Sequence, residues 1–148
     1  MPPETTKQPV PQQPQTAAKL RFLLVDEDHN DLEYYRALLE KQGYIARVSD
    51  SYESAVRSLE HESFDFILVG QGTSAFEGRY VLEQSLGLDR SRPVIVLTRC
   101  LDMNCYLEAM QLGAADYLEK PVSPAEMTRV VSTHMRSKAQ QGGTGFFD

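Results

Sequence analysis

Residues Phe64 to Gly78 read FDFILVGQGTSAFEG, and the fold of the chain turns on this stretch. Phe66 to Val69 is an unbroken apolar run of β-branched and aromatic types. That is the pattern of a strand buried on both faces inside a parallel sheet. A loop follows, opening with Gly70-Gln71-Gly72 and closing at Gly78, where the next helix is expected to begin. In open α/β sheets, ligands sit in the crevice beyond the carboxyl ends of the strands. Gly70 therefore stands where a reactive side chain belongs, and it has none.

On the N-terminal side, Leu20 to Val25 (LRFLLV) reads as a first, central strand that ends in Asp26-Glu27-Asp28. His29 to Gln42 carries a helical stripe of Leu32, Tyr35, Leu38 and Leu39, with Gly43 as a left-handed cap. Tyr44 to Val48 is a second strand, and Ser51 or Asp50 caps a helix running through His61. On the C-terminal side, a helix is expected from about Arg79 to Leu86, then a strand at Val94 to Thr98. Asp102 to Leu112 reads as a helix stopped by Gly113, and Tyr117 to Glu119 as a short strand running into Lys120-Pro121. Ser123-Pro124-Ala125-Glu126 opens the last helix with a capping box, and Gly142-Gly143 is expected to end it.

Strands and helices thus alternate five times. Parallel strands need crossover helices, and right-handed crossovers place helices on both faces. The fold class is α/β: a doubly wound, five-stranded parallel sheet of flavodoxin-like (βα)5 form, with order 2-1-3-4-5 by analogy. Residues 19–140 form this domain. Residues 1–18, MPPETTKQPVPQQPQTAA, are a Pro/Gln-rich tail too polar to offset its ordering entropy, and 141–148 are a flexible tail.

The chain of 148 residues is 41% hydrophobic, enough for one domain with a substantial core. A formal net charge of −6 argues against direct nucleic-acid binding. No apolar run approaches the ~18–20 residues that span a bilayer, and the N-terminus has no signal pattern, so the cytoplasm is expected. Cys100 and Cys105 are too few for a disulfide framework, and His29, His61 and His134 lie in separate polar segments without metal-ligand spacing.

The strand ends converge on one crevice: Asp26, Glu27 and Asp28 from the first, Gly70 from the third, Thr98 from the fourth and Lys120 from the fifth. Carboxylates suit a hard divalent cation, while a hydroxyl and an ammonium can contact phosphate oxygens. Asp28 can equally cap the helix that follows it.

From about Leu20 to Ser137 the chain resembles the receiver domain of two-component response regulators (CheY-like). The resemblance is carried by VDED after the first strand, VLT at the fourth, and GAADYLEKPVS at the fifth. It implies a cis peptide at Lys120-Pro121, and it likens Glu77-Gly78 to the Asp-Gly that closes the family's phosphorylation loop. It also implies Thr98 and Tyr117 as the pair coupling pocket to surface, although Tyr117 can equally be a plain half-buried strand residue. The output surface it implies is the fourth helix, fifth strand and fifth helix.

The family pattern has an aspartate where this chain has Gly70. Asp65 cannot replace it, lying about 16 Å away at the other end of the strand, at roughly 3.3 Å per residue. Ser74 stands where the loop's usual proline would be, and Arg99 follows Thr98 where the family has a small residue. The expected function is therefore a pseudo-receiver, a non-enzymatic protein-interaction module that takes no phosphate. Its degenerate pocket comprises Asp26, Glu27, Gly70, Thr98 and Lys120. Mg²⁺ is weak at most, its candidate ligands being Asp26, Glu27 and Gly72, and no other cofactor is implied. Lys120 should pair with an acidic neighbour in an open crevice, at a cost on removal of about 1 kcal/mol. The expected partner is a signalling protein, such as a histidine kinase or another regulator, or a second copy in a homodimer, with no nucleic acid or membrane. The alternative is a receiver-derived domain whose crevice binds a small ligand. An enzyme is disfavoured because no nucleophile–base pair can be identified.

Overall fold

A computed structural model describes residues 19–144. The tail at 1–18 and the end of the tail at 141–148 lie outside the described residues. Strand β1 is Arg21–Val25, β2 Ile45–Ser49, β3 Phe66–Gly70, β4 Val94–Thr98 and β5 Asp116–Glu119. The helices are α1 His29–Lys41, α2 Tyr52–His61, α3 Arg79–Leu88, α4 Met103–Leu112 and α5 Pro124–Thr144. All five strands are parallel, in the order 2-1-3-4-5.

Alternation along the strands divides the core into two layers. Phe22, Leu24, Phe66, Leu68, Ile95 and Leu97 face α1 and α5, whereas Leu23, Val25, Ile67, Val69, Val94 and Val96 face α2, α3 and α4. Every residue of β3 and β4 is buried, as expected for strands covered on both faces, while β2 is an edge strand and mostly exposed.

Local chemistry sets the helix ends. Asp28 caps α1 by accepting from the backbone of Asn30 and Asp31, and Ser51 rather than Asp50 caps α2. Asp102 lies outside α4 as its cap. Gly43 and Gly113 take positive φ, as expected of C-terminal stops. The proposed capping box of α5 is half formed: Ser123 Oγ accepts from Glu126 N–H at 3.1 Å. One boundary differs substantially, because α5 continues through Gly142-Gly143 to Thr144. Glycine lowers helix stability by about 1 kcal/mol but does not forbid the helical basin. Among the described residues no helix is long and apolar enough to cross a membrane.

Leu68 is fully buried at the centre of β3. Leu68→Ala should cost about 3 kcal/mol from lost transfer energy and a residual cavity. Urea denaturation should show a lower midpoint with an unchanged slope.

Candidate functional site

The register that pairs Val25 with Val69 sets Asp26 beside Gly70 at the carboxyl edge of the sheet. Asp26 fills the space that a side chain at position 70 would need. A Cβ built on Gly70 would lie 2.7 Å from Asp26 Oδ2, although Gly70 itself lies outside the left-handed region. The Gly70 carbonyl accepts from Tyr52 Oη at 3.2 Å. The same carbonyl leaves no room for a Cβ at Gly78, so close backbone approach dictates the glycine that opens α3.

Asp26 is held from two sides. Its Oδ1 accepts from Asp28 N–H at 2.9 Å, and its Oδ2 lies 2.6 Å from Lys120 Nζ. Lys120 also donates to Asp31 Oδ2 at 2.8 Å. The Lys120-Pro121 peptide is cis, and the loop beyond it is tied to α1 where Val122 N–H donates to Tyr35 Oη at 2.9 Å.

Arg99 supplies a second cation at the rim, 3.2 Å from Asp28 Oδ2 and 2.6 Å from Asp31 Oδ1. Four acidic residues, Asp26, Glu27, Asp28 and Asp31, thus share a cleft of about 390 Å³ with Lys120 and Arg99. Burial works against the Lys120 ammonium, but the hydrogen bonds and charges of Asp26 and Asp31 outweigh it, and its pKa rises. Asp28 is held below the usual carboxylate range, first by the Asp31 backbone N–H and also by Arg99. Burial, with Glu27, Asp26 and Glu77 nearby, pushes the Tyr52 phenol well up.

Of the residues singled out from the sequence, Asp26 and Lys120 meet directly. Glu27 lines the cleft but is exposed and takes no part in the lysine contact. Thr98 is buried, its hydroxyl donating to Cys100 O at 2.8 Å and accepting from Cys100 N–H at 3.1 Å. Gly72 lines the cleft at φ +85°, with the Glu77 carboxylate packed over it. Glu77 in turn accepts from Thr73 N–H at 2.7 Å. Tyr117 Oη donates to Gln71 Oε1 and accepts from Asp102 N–H at 3.2 Å.

Sequence reasoning missed Asp31, Tyr52 and Gln71. Asp31 was findable, because a helix puts residues three apart on one face and so returns Asp31 to the side of the Asp28 cap. Among the described residues, no group of three or more His, Cys, Asp or Glu is arranged to hold a metal ion. Asp26, the first candidate ligand, is already committed to Lys120. The side chains as they stand do not fit a divalent metal centre.

The profile of the response regulator receiver domain matches residues 22–132. Among curated proteins, the chain is 28% identical over 107 residues to transcriptional regulatory protein ZraR of Escherichia coli K12, covering 72% of this chain and 24% of that protein. It is 32% identical over 107 residues to the alginate biosynthesis transcriptional regulatory protein AlgB of Pseudomonas aeruginosa, with the same coverage. The chain thus spans about a quarter of the length of these regulators. An uncharacterized 14.6 kDa protein of Leptolyngbya boryana is 29% identical over 122 residues, covering 81% of this chain and 93% of its own. The solved CheY-like receiver domain from Methanospirillum hungatei superposes with a TM-score of 0.78 at 22% identity, over 84% of this chain and 99% of that one.

The Lys120 side chain is 7% exposed and those of Asp26 and Asp31 are 13% exposed. The expectation of about 1 kcal/mol for its removal assumed an open crevice, and this burial overturns that premise. Lys120→Ala should cost about 2 kcal/mol, because it leaves the half-buried Asp26 carboxylate with no cation, while Asp31 keeps Arg99. Lys120's folded pKa lies above its ordinary 10.5. Its contribution is therefore complete below the unfolded value and lost as pH rises through the folded one. Urea titrations from neutral to strongly alkaline pH should show wild type converging on Lys120→Met only at the alkaline end.

Proposed function

The chain belongs to the response regulator receiver domain family of two-component systems, and we propose that it is a pseudo-receiver. It relays signals by protein contact, without enzymatic activity and without taking a phosphoryl group. The observation that carries this reading is Asp26 lying over Gly70 with its carboxylate on Lys120. At the position that needs a nucleophilic carboxylate there is a hydrogen atom, and the neighbouring carboxylate is neutralised by an ammonium group.

The same arrangement supports weak Mg²⁺ binding at most. Two cations already halve the charge of the four-carboxylate cluster, so a divalent ion gains less attraction and must break the Lys120 contact to reach Asp26 Oδ2. Output then falls to the surface built by α4, β5 and α5, acting on a signalling partner such as a histidine kinase or another regulator. Two of the curated relatives, ZraR and AlgB, are transcriptional regulatory proteins, which is consistent with a place in such a pathway.

Incubation with acetyl phosphate and Mg²⁺ should leave the intact mass of the wild type unchanged. A phosphoryl adduct on any carboxylate of the cleft would overturn the reading. Gly70→Asp must displace Asp26 from its place, at a cost of about 2 kcal/mol from overpacking and like-charge repulsion. Mg²⁺ should recover that stability by binding only the folded variant, read as a rise in melting temperature. The backbone at Gly70 suits an L-residue, so a folded variant that binds Mg²⁺ without being labelled would place a further lesion elsewhere, with Arg99 the first candidate.

A further inference from the structure

Among the described residues, β2 pairs only with β1 and forms one edge of the sheet, while β5 forms the other. Its inner bonds come from alternate residues. Ile45 N–H donates to Leu20 O at 2.9 Å, and Ser49 O accepts from Asp26 N–H at 3.2 Å. In a parallel ladder that alternation gives Ile45, Arg47 and Ser49 to β1 and turns the backbone groups of Ala46 and Val48 outward. Soluble proteins block such edges with proline, bulges, inward charges or a covering element. β5 is short and begins and ends on a charge, Asp116 and Glu119. β2, IARVS, has only Arg47, and that charge is already paired with Glu62. Its aliphatic residues Ile45 and Val48 are 39% and 42% exposed. Nor does α1 roof the edge, because a cavity of about 410 Å³ opens between them, with Leu32, Arg36, Val48 and Asp50 among its walls.

Side chains alternate with the same period. Ile45 and Arg47 lie on the α2 face, and Ala46 and Val48 on the α1 face, where Ala46 and Tyr44 pack against the core. In an antiparallel pair the bonds run between directly opposed residues whose groups face each other. For two copies of β2, an even-numbered residue must therefore oppose an even-numbered one. A pairing centred on Arg47 meets this condition but sets Arg47 against Arg47. One centred on Val48 sets Ala46 against Asp50, which lies beyond the strand and is bonded by His29. One centred on Ala46 opposes Val48 to Tyr44 and Ile45 to Arg47. Each exposed aliphatic is then covered, Val48 by the outer side of the Tyr44 ring and Ile45 by the arginine stem. The Ala46 pair exchanges both backbone bonds. Val48 N–H reaches the Tyr44 carbonyl, the Tyr44 N–H being used by Leu39 O at 3.1 Å.

We infer that β2 pairs antiparallel with β2 of a second copy, about a two-fold axis through Ala46, and joins the two sheets into one. The self-complementary register selects a second copy over a foreign strand, because one short sequence supplies both sides of every opposed pair. The chain's own N-terminal segment is a poorer occupant. Residues 7–15 carry three prolines, which have no N–H to give to an edge. A contact built on one five-residue strand falls short of the roughly 800 Å² per partner of a standard interface, so the dimer is weak and concentration-dependent. It leaves β5 at the far edge of each sheet, and it does not depend on how the cleft is read.

Sedimentation equilibrium of the full chain, carried to about 1 mM, should show monomer and dimer in exchange. Ala46→Pro removes an outward N–H that the ladder to β1 does not use, and should weaken the dimer about tenfold while the chain still melts cooperatively. Val48→Lys, a charge at an exposed position of the edge, should do the same if the proline variant fails to fold. Amide exchange reads the register directly. Ala46 and Val48 should exchange quickly in dilute solution and slow as concentration rises, whereas Arg47 and Ser49, bonded to β1, should stay protected throughout. In a Cys100→Ser background, Ala46→Cys should give a covalent dimer with a short thiol cross-linker, and Met103→Cys on α4 should not. A chain that stays monomeric, or a dimer unmoved by whichever of the two edge variants folds, would overturn the inference. So would slow exchange at Ala46 and Val48 at every concentration, since the edge would then be covered within one chain. Cross-linking through Met103 and not through Ala46 would place the contact between copies elsewhere and overturn it as well.

Discussion

Lys120 Nζ lies between Asp26 and Asp31, 2.6 and 2.8 Å away, and the rest of the cleft is arranged around that double contact. The pair joins the end of β1 and the first turn of α1 to the loop after β5, elements from both sides of the sheet's carboxyl edge. With the lysine side chain 7% exposed, neither charge can be returned to water without opening the site. Removing one partner is therefore far more costly than removing a surface charge. The ion pair is weak evidence of stability for its own sake.

The contact is possible because position 70 has no side chain. A strand end in this fold normally directs a group into the crevice, and here the neighbouring strand fills the space instead: Asp26 leans over Gly70 and meets Lys120. Arg99 adds its guanidinium on the outer side of Asp28 and Asp31. Two protein cations thus pair with three of the four carboxylates of the cleft, Asp26, Asp28 and Asp31, and Glu27 faces solvent.

From the residue next to Gly70 a second contact runs the other way. Gln71 bonds Tyr117, which bonds the backbone of Asp102, the residue that caps α4 by accepting from Cys105 N–H at 3.0 Å. Consecutive residues at the end of β3 thus meet the charged cleft at Gly70 and, through Tyr117, the cap of α4 at Gln71, one lacking a side chain and the other burying a polar one. A buried amide with both ends bonded is a rigid connector, since leaving either end unmade would carry the desolvation cost of that group.

The apolar runs of β1, β3 and β4 are long, uninterrupted and bounded by turn residues, so burial on both faces and the alternating α/β pattern were legible directly from the chain. So were the caps at Gly43, Gly113 and Ser123, because they depend on neighbours within a few residues. The convergence of Asp26, Gly70 and Lys120 on one edge follows from strand order, which the alternation alone does not fix and which was taken by analogy. The sequence could not tell which acid Lys120 takes, how deeply the pair is buried, or which way Tyr117 turns. Asp31 rather than Glu27 receives the second lysine bond because the first turn of α1 aims its carboxylate back into the cleft. Gln71 finds Tyr117 across 46 residues of chain because β3, β4 and β5 lie side by side. Periodicity and capping are local and are written in order along the chain; pairing and burial depend on distances between segments, which only the packed sheet sets.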